Sequence, residues 1–330
     1  MTTKKRNSTH VQTLQAIGGG LAGCITRFFA QPFDVLKIRF QLQVEPLRKG
    51  ERWSKYVGFW HAVTTIFREE GLRGFWKGHT AGQVMSVTYA IVQFWSYEQF
   101  HAAATNYDYY ENHRNRVIFI CGGLAGCMGT IASQPFDVIR TRVVAADPHS
   151  RSGRLRPLSG VARVYRREGI RGVTGGLWLT LMQIFPLVGT NFLVYKFFNR
   201  LVVKAQEYWT EKPNPEGIIN GAFLFMNGAL AGMISKMLIY PADLIKKRLQ
   251  LAPIHHDRQT FGKNPKCNTF SLCVRSLIRK EGIKGFYKGM LPTLYKSGVV
   301  TAFYFTIYDF YSRTVVTPVK RREQEEGRRL

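Results

Sequence analysis

Three short stretches of this sequence set a carboxylate three residues ahead of a cation. They read Pro32-Phe33-Asp34-Val35-Leu36-Lys37, Pro135-Phe136-Asp137-Val138-Ile139-Arg140 and Pro241-Ala242-Asp243-Leu244-Ile245-Lys246. Positions three apart share a helix face, so each copy presents an acid and a base on one side. The chemistry this offers is electrostatic, and three such faces can close a ring. The spacing expects Asp34 and Lys37 to act as one pair, so that reversing both charges together restores what either change alone removes.

A second group of charges sits where charges are costly. Arg27 and Lys236 each precede a motif proline by five residues, at a point where the middle copy has Thr130. Lys296 follows Gly289 by seven. At about 1.5 Å per helical residue, these cations lie roughly 8–10 Å from the acid–base faces. Ionisable residues within apolar spans default to function, and three cations at one depth without a local acid make an anion site. Other chemistry has little support. The five cysteines form no CxxC pair and have no histidines at metal spacing, so reduced structural thiols are expected and neither a metal site nor a disulfide framework is. No nucleophile–base constellation or phosphate-cradling glycine loop marks an enzyme. The pair His255-His256 reads as a solvated loop.

These residues need helices to carry them. The motif prolines recur about a hundred residues apart, which makes the chain three repeats of one unit. Mean hydropathy is only −0.14, yet residues 79–97, 117–136, 172–195 and 218–235 contain no Lys, Arg, Asp or Glu. Residues 16–33 and 289–308 qualify if one cation apiece is allowed. A bilayer core takes about 20 residues, so the expected architecture is all-α with six membrane spans, two per repeat. Each first span carries a GxxxG pair, Gly19/Gly23, Gly122/Gly126 and Gly228/Gly232, which predicts close helix approach there. The motif proline is expected to kink its helix. Amphipathic stretches follow, with Phe59, Ala62, Val63, Ile66 and Phe67 on one apolar face in the first copy, and read as helices at the membrane surface. A second motif closes each, Glu70-Gly71 through Gly78 and Glu281-Gly282 through Gly289; the middle copy, Glu168 to Gly176, has Thr174 and Gly175 for its aromatic and lysine.

The net charge of +26 could mean nucleic acid. Here the cations bracket uncharged spans instead of interleaving with aromatics on a soluble face, so a nucleic-acid partner is not expected. Lys and Arg crowd the segment between the first two spans and are absent from 99–113, a bias that orients the long loops inward and both tails to the opposite side. No cleavable presequence follows Lys4-Lys5-Arg6.

The tripled PxDxx[KR] stretches and the EG motifs resemble those of the mitochondrial carrier family over residues 12–313. The resemblance implies repeats at 12–105, 106–205 and 206–313 between tails 1–11 and 314–330. It implies a pseudo-threefold six-helix barrel in the mitochondrial inner membrane, monomeric, with short matrix-side surface helices, cardiolipin as a lipid partner and no resident cofactor. Asp34, Lys37, Asp137, Arg140, Asp243 and Lys246 match the family's matrix gate. Gln41 and Gln250 match the braces beneath it, and Val144 takes the third brace position. The opposite gate survives only as Glu98, Lys196 and Asp309, too few for three pairs, so the state open to the intermembrane space should be readily populated. Family contact points fall on Tyr89 and Gln93, on Gln183 and Ile184, and on Lys296. This pattern resembles members that carry nucleotides, coenzyme A or related phosphorylated cofactors, with the rings against Tyr89, Gln93 and Gln183 and the phosphates on Arg27, Lys236 and Lys296.

Overall fold

The computed structural model describes residues 2–45, 54–105, 109–147, 150, 155–210, 221–251, 267 and 269–319. His255, His256, Asp108 and the tail from residue 320 lie outside them. Every regular element among the described residues is helical. Six are long: α1 (Thr2–Leu42), α3 (His79–Ala104), α4 (Tyr109–Ala145), α6 (Leu177–Thr210), α7 (Gly221–Leu251) and α9 (Met290–Tyr311). Three shorter ones, α2 (Phe59–Glu70), α5 (Pro157–Val173) and α8 (Phe270–Gly285), follow α1, α4 and α7. Among the described residues, 116–145, 177–205 and 226–251 are long and apolar enough to cross a membrane on length and composition.

The repeats close on one another. The most extensive helix packing joins α3 to α4, α6 to α7 and α9 back to α1, so each repeat's second long helix lies against the next repeat's first. The helix continues through Pro32, Pro135 and Pro241. Residues just beyond these prolines form the largest apolar cluster, in which Val35, Leu36 and Phe40 of α1 pack with Ile66 of α2, Val144 of α4 and Leu251 of α7. The core therefore sits at the motif end of the bundle, and Val144 serves it with apolar bulk.

The second motif owes its glycines to backbone conformation. Gly71, Gly169 and Gly282 open it and Gly78, Gly176 and Gly289 close it, and all six hold positive φ between 65° and 83°. That region costs a residue with a Cβ, and glycine is its default occupant. In α5 and α8 this turn falls inside the helix, which bends at Gly169 and Gly282. On α2, Ala62 and Ile66 face inward while Phe67 is 54% exposed, so the apolar face is narrower than the sequence expects.

Two expectations are corrected. A Cβ on Gly23, Gly122, Gly228 or Gly232 would meet nothing within 4 Å, and one on Gly19 or Gly126 only side chains at ordinary contact distance, 3.7 Å, so these GxxxG pairs do not mark close approach. The tight positions are their neighbours: a Cβ on Gly129 would stand 3.0 Å from the Tyr89 carbonyl oxygen, and one on Gly123 2.7 Å from the Phe185 ring. Helix rotation, which a four-residue spacing leaves undetermined, decides which glycine faces a partner. Cys267 and Cys273 form a disulfide with Cα atoms 4.3 Å apart; they are not the free thiols the spacing implies. Cys273 lies in the first turn of α8, within reach of Cys267 just ahead of it.

Candidate functional site

The six charges of the proline motifs meet at one end of the bundle, but they pair between repeats. Asp34 takes Arg140 of α4, with Nη2 to Oδ2 at 2.5 Å. Asp137 takes Lys246 of α7 at 2.8 Å. Asp243 takes Lys37 of α1 at 3.5 Å. Asp34 and Lys37, expected to act together, belong to different sides of the ring. Three residues apart, they do share a face, but each points across a seam.

The three sides are unequal. Asp137 also receives Lys247 at 2.8 Å, a cation whose equivalents in the other repeats are Ile38 and Thr141. Gln250 Nε2 donates to the same carboxylate at 3.0 Å, and its Oε1 accepts from Thr141 at 2.8 Å and from Lys247 at 3.2 Å. Gln250 is thus a brace by contact. Gln41 is fully buried, and among the described residues its amide makes no hydrogen bond to a ring carboxylate or gate cation. On the third side Asp243 leaves 40% of its side chain exposed.

Arginines missed as functional by the sequence reading lie beneath the ring. Arg39, Arg142 and Arg248, two residues past the gate cations, are among the most deeply buried side chains. Each pairs with the glutamate of its own repeat's second motif: Arg39 with Glu70 at 2.7 Å, Arg142 with Glu168 at 2.5 Å, Arg248 with Glu281 at 2.5 Å. Each Nε also crosses to the next repeat, donating to the carbonyls of Val144 at 3.3 Å, Gln250 at 3.4 Å and Gln41 at 3.0 Å respectively. The acceptors are the three brace positions. A backbone acceptor works whatever the side chain, which is why Val144 is tolerated.

The residue before each proline links the two motifs of its repeat. Gln31 donates to the Lys77 carbonyl at 2.7 Å, Gln134 to that of Gly175 at 2.7 Å, and the Tyr240 hydroxyl to that of Lys288 at 2.8 Å. Glutamine and tyrosine share only a donor at that reach, so the equivalence is hard to see in sequence. Outside the spans, burial pushes the Tyr56 phenol up to about 12, and it stays neutral while Arg39 Nη1 donates to its oxygen at 3.1 Å. Burial pulls the Lys77 and Lys288 ammonium groups down, opposed by Glu70 and Glu281.

Above the ring the expected binding residues divide between two cavities. One, about 440 Å³, is lined by Arg27, Ser86, Gln83, Cys24 and Lys296. The other, about 1020 Å³, is lined by Tyr89, Gln93, Ile184, Phe185 and, near its far end, Arg116 and Lys196. Lys236 and Gln183 line neither; the Gln183 amide nitrogen is buried without a hydrogen-bond partner among the described residues. Arg27 donates to the Ser86 hydroxyl. Thr130, at the equivalent depth, turns its hydroxyl back to the Gly126 carbonyl at 2.8 Å.

Lys296 corrects the idea of cations without an acid, since its Nζ lies 2.8 Å from Asp34 Oδ1. Asp34 therefore holds Arg140 and Lys296 together. An anion at Lys296 would compete with a ring carboxylate.

At the opposite end Glu98 and Lys196 are exposed and make no ion pair among the described residues. Asp309 pairs at 2.9 Å with Arg313 on its own chain segment, four residues on. A neutral link, Asn227 Nδ2 to Asn199 Oδ1 at 2.8 Å, joins α7 to α6 there. The ionic closure is at the proline-motif end.

The family model described as "Mitochondrial carrier protein" matches residues 9–108, 113–206 and 222–318. Relatives are similar across nearly the whole chain. The "Mitochondrial thiamine pyrophosphate carrier" of Homo sapiens is 39% identical over 306 residues, covering 93% of this chain and 92% of that protein. The "Mitochondrial thiamine diphosphate carrier 1" of Arabidopsis thaliana is 32% identical over 314 residues, covering 91% and 93%. The "Mitochondrial thiamine pyrophosphate carrier 1" of Aspergillus niger is 30% identical over 291 residues, covering 87% of each.

Proposed function

Because the chain belongs to the mitochondrial carrier family, we propose that it exchanges thiamine pyrophosphate across the mitochondrial inner membrane by alternating access. The observation that carries this is the division of the interior into a cationic cavity at Arg27 and Lys296 and an aromatic one at Tyr89, Gln93 and Phe185. The proposed substrate has the same division, a diphosphate at one end and two heteroaromatic rings at the other. On α3, Ser86 and Gln93 border the two cavities; seven residues of helix is about 10 Å, a length such a molecule spans. The phosphates would sit on Arg27 and Lys296, with Lys236 at the same depth, and the rings against Tyr89, Gln93 and Ile184. The substrate named in the relatives from an animal, a plant and a fungus supports the same reading.

The protein acts in this reading as a transporter and not an enzyme. Both termini face the intermembrane space, and the ion-pair ring closes the matrix mouth. A cavity of about 640 Å³ between the start of α2 at Gly58 and that of α9 at Gly289, bordered by Lys280, Lys284 and Lys288, suits a cardiolipin headgroup at the matrix surface. The protein works as a monomer, with its pathway inside one chain.

Counter-exchange in proteoliposomes tests the substrate. Labelled thiamine pyrophosphate should exchange in preference to ADP, dATP and coenzyme A. Preference for any of those three would replace the substrate and leave the transport reading standing.

A further inference from the structure

The three seams of the mouth are held in two layers, and the lower layer differs between them. Between repeats 1 and 2, and between repeats 2 and 3, the upper ion pairs are short and the lower layer among the described residues is one arginine-to-carbonyl bond each, at 3.3 and 3.4 Å. Between repeats 3 and 1 the upper layer is the 3.5 Å contact of Lys37 with Asp243 and the 2.8 Å contact of Lys296 with Asp34. The lower layer there is much denser. Arg248 donates from Nε to the Gln41 carbonyl at 3.0 Å and from Nη2 to the Gln43 carbonyl at 3.3 Å. Lys288 Nζ lies among three carbonyls, those of Gln43 at 3.2 Å, Val44 at 2.8 Å and Glu45 at 3.0 Å.

These carbonyls belong to the C-terminal end of α1 and the residues just past it. Such a helix end leaves acceptors unpaired and carries the negative pole of the helix dipole, so cations are its natural caps. Here the caps come from a different repeat. Lys77, the counterpart of Lys288 in repeat 1, pairs with Glu70 of its own repeat at 2.6 Å, and its Nζ makes no hydrogen bond across a seam among the described residues. Repeat 2 has Gly175 at this position.

We propose that Arg248 and Lys288 form a second lock on the mouth, a clasp of the third repeat on the end of α1 that must release before the mouth opens. The inference rests on the alternating-access reading above. Arg248 and Lys288 act here as positioning residues for the ring, outside the substrate path. Both stay tied to Glu281, so the clasp moves with repeat 3 when it lets go of repeat 1.

Cys24 provides the probe, because it is exposed and lines the cavity above the ring. A membrane-impermeant maleimide is applied to the matrix face of sided proteoliposomes, and labelling of Cys24 is followed by peptide mass spectrometry. Lys288→Met should label about tenfold faster than wild type, since a charge-assisted bond is worth enough to shift a two-state equilibrium that far. Lys77→Met, which loses the same kind of glutamate contact, should label at the wild-type rate. Equal acceleration in the two variants, or none in either, overturns the second lock. If Lys288→Met does not fold, Lys288→Gln, with a shorter donor, should show a smaller acceleration, and wild-type labelling would overturn the proposal equally. A wild-type Cys24 whose labelling from both faces ignores substrate would instead remove the alternating-access reading itself.

Discussion

Arg248 grips Glu281 with both terminal nitrogens, Nη1 at 2.5 Å and Nη2 at 2.9 Å, and each side chain is only 2% exposed. Lys288 reaches the same carboxylate at 2.5 Å. The middle repeat holds its equivalent less tightly: Glu168 is 23% exposed, and Gly175 supplies no second cation. Removing one partner from a buried ion pair costs about 3–5 kcal/mol, because the other charge is left uncompensated. Glu281→Gln should therefore lower the melting temperature of the detergent-solubilised protein clearly more than Glu168→Gln. Equal losses would mean that burial of the pair does not set its contribution.

Pairing across seams changes which charge reversal can be rescued. Asp34→Arg combined with Arg140→Asp should recover more exchange than Asp34→Lys combined with Lys37→Asp, measured against the four single variants in proteoliposomes. The first double variant restores a contact across one seam, at 2.5 Å in the wild type. The second leaves both seams with like charges facing. Better rescue by the second would show that the helices rotate away from this arrangement.

Gln250 and Gln41 occupy equivalent positions with unequal prospects. Gln250→Leu removes a bond to Asp137 and an acceptor for Thr141 and Lys247, and should destabilise by about 1–3 kcal/mol. Gln41→Leu removes an amide that makes no bond to the ring among the described residues, and should destabilise clearly less. Thermal denaturation in parallel decides this, with a Gln41→Leu loss as large as that of Gln250→Leu as the contrary result.

Gly123→Ala sets a methyl group 2.7 Å from the Phe185 ring, and overpacking of this kind costs about 1–3 kcal/mol. The ring lines the aromatic cavity and would be displaced. Affinity for thiamine pyrophosphate should fall while competition by inorganic diphosphate stays near wild type. A parallel loss for both anions would assign the effect to general misfolding.

Lys296→Ala should abolish exchange while the protein still folds and inserts. It removes both the proposed phosphate partner and one of the two cations on Asp34. Exchange within about twofold of wild type would take Lys296 out of the binding site.

The sequence by itself determined which residues recur and where on each helix they sit. Asp34, Asp137 and Asp243 at one register, the six motif glycines and the uncharged runs all follow from spacing, because helix periodicity is local and repeats three times. Spacing also placed Arg27 and Lys296 at one depth. Where it paired Asp34 with Lys37 it went wrong, since the partner of each charge depends on how one helix is rotated against the next. Tertiary packing gave Asp34 to Arg140 and Lys296, brought Lys247 into the ring and left Gln41 out of it. It turned Gly129, not the GxxxG glycines, toward a neighbouring backbone. The arginine-to-carbonyl layer was the least legible part, because its acceptors are peptide oxygens that every residue carries. Only the approach of three helix ends to one another could show which of them would be used.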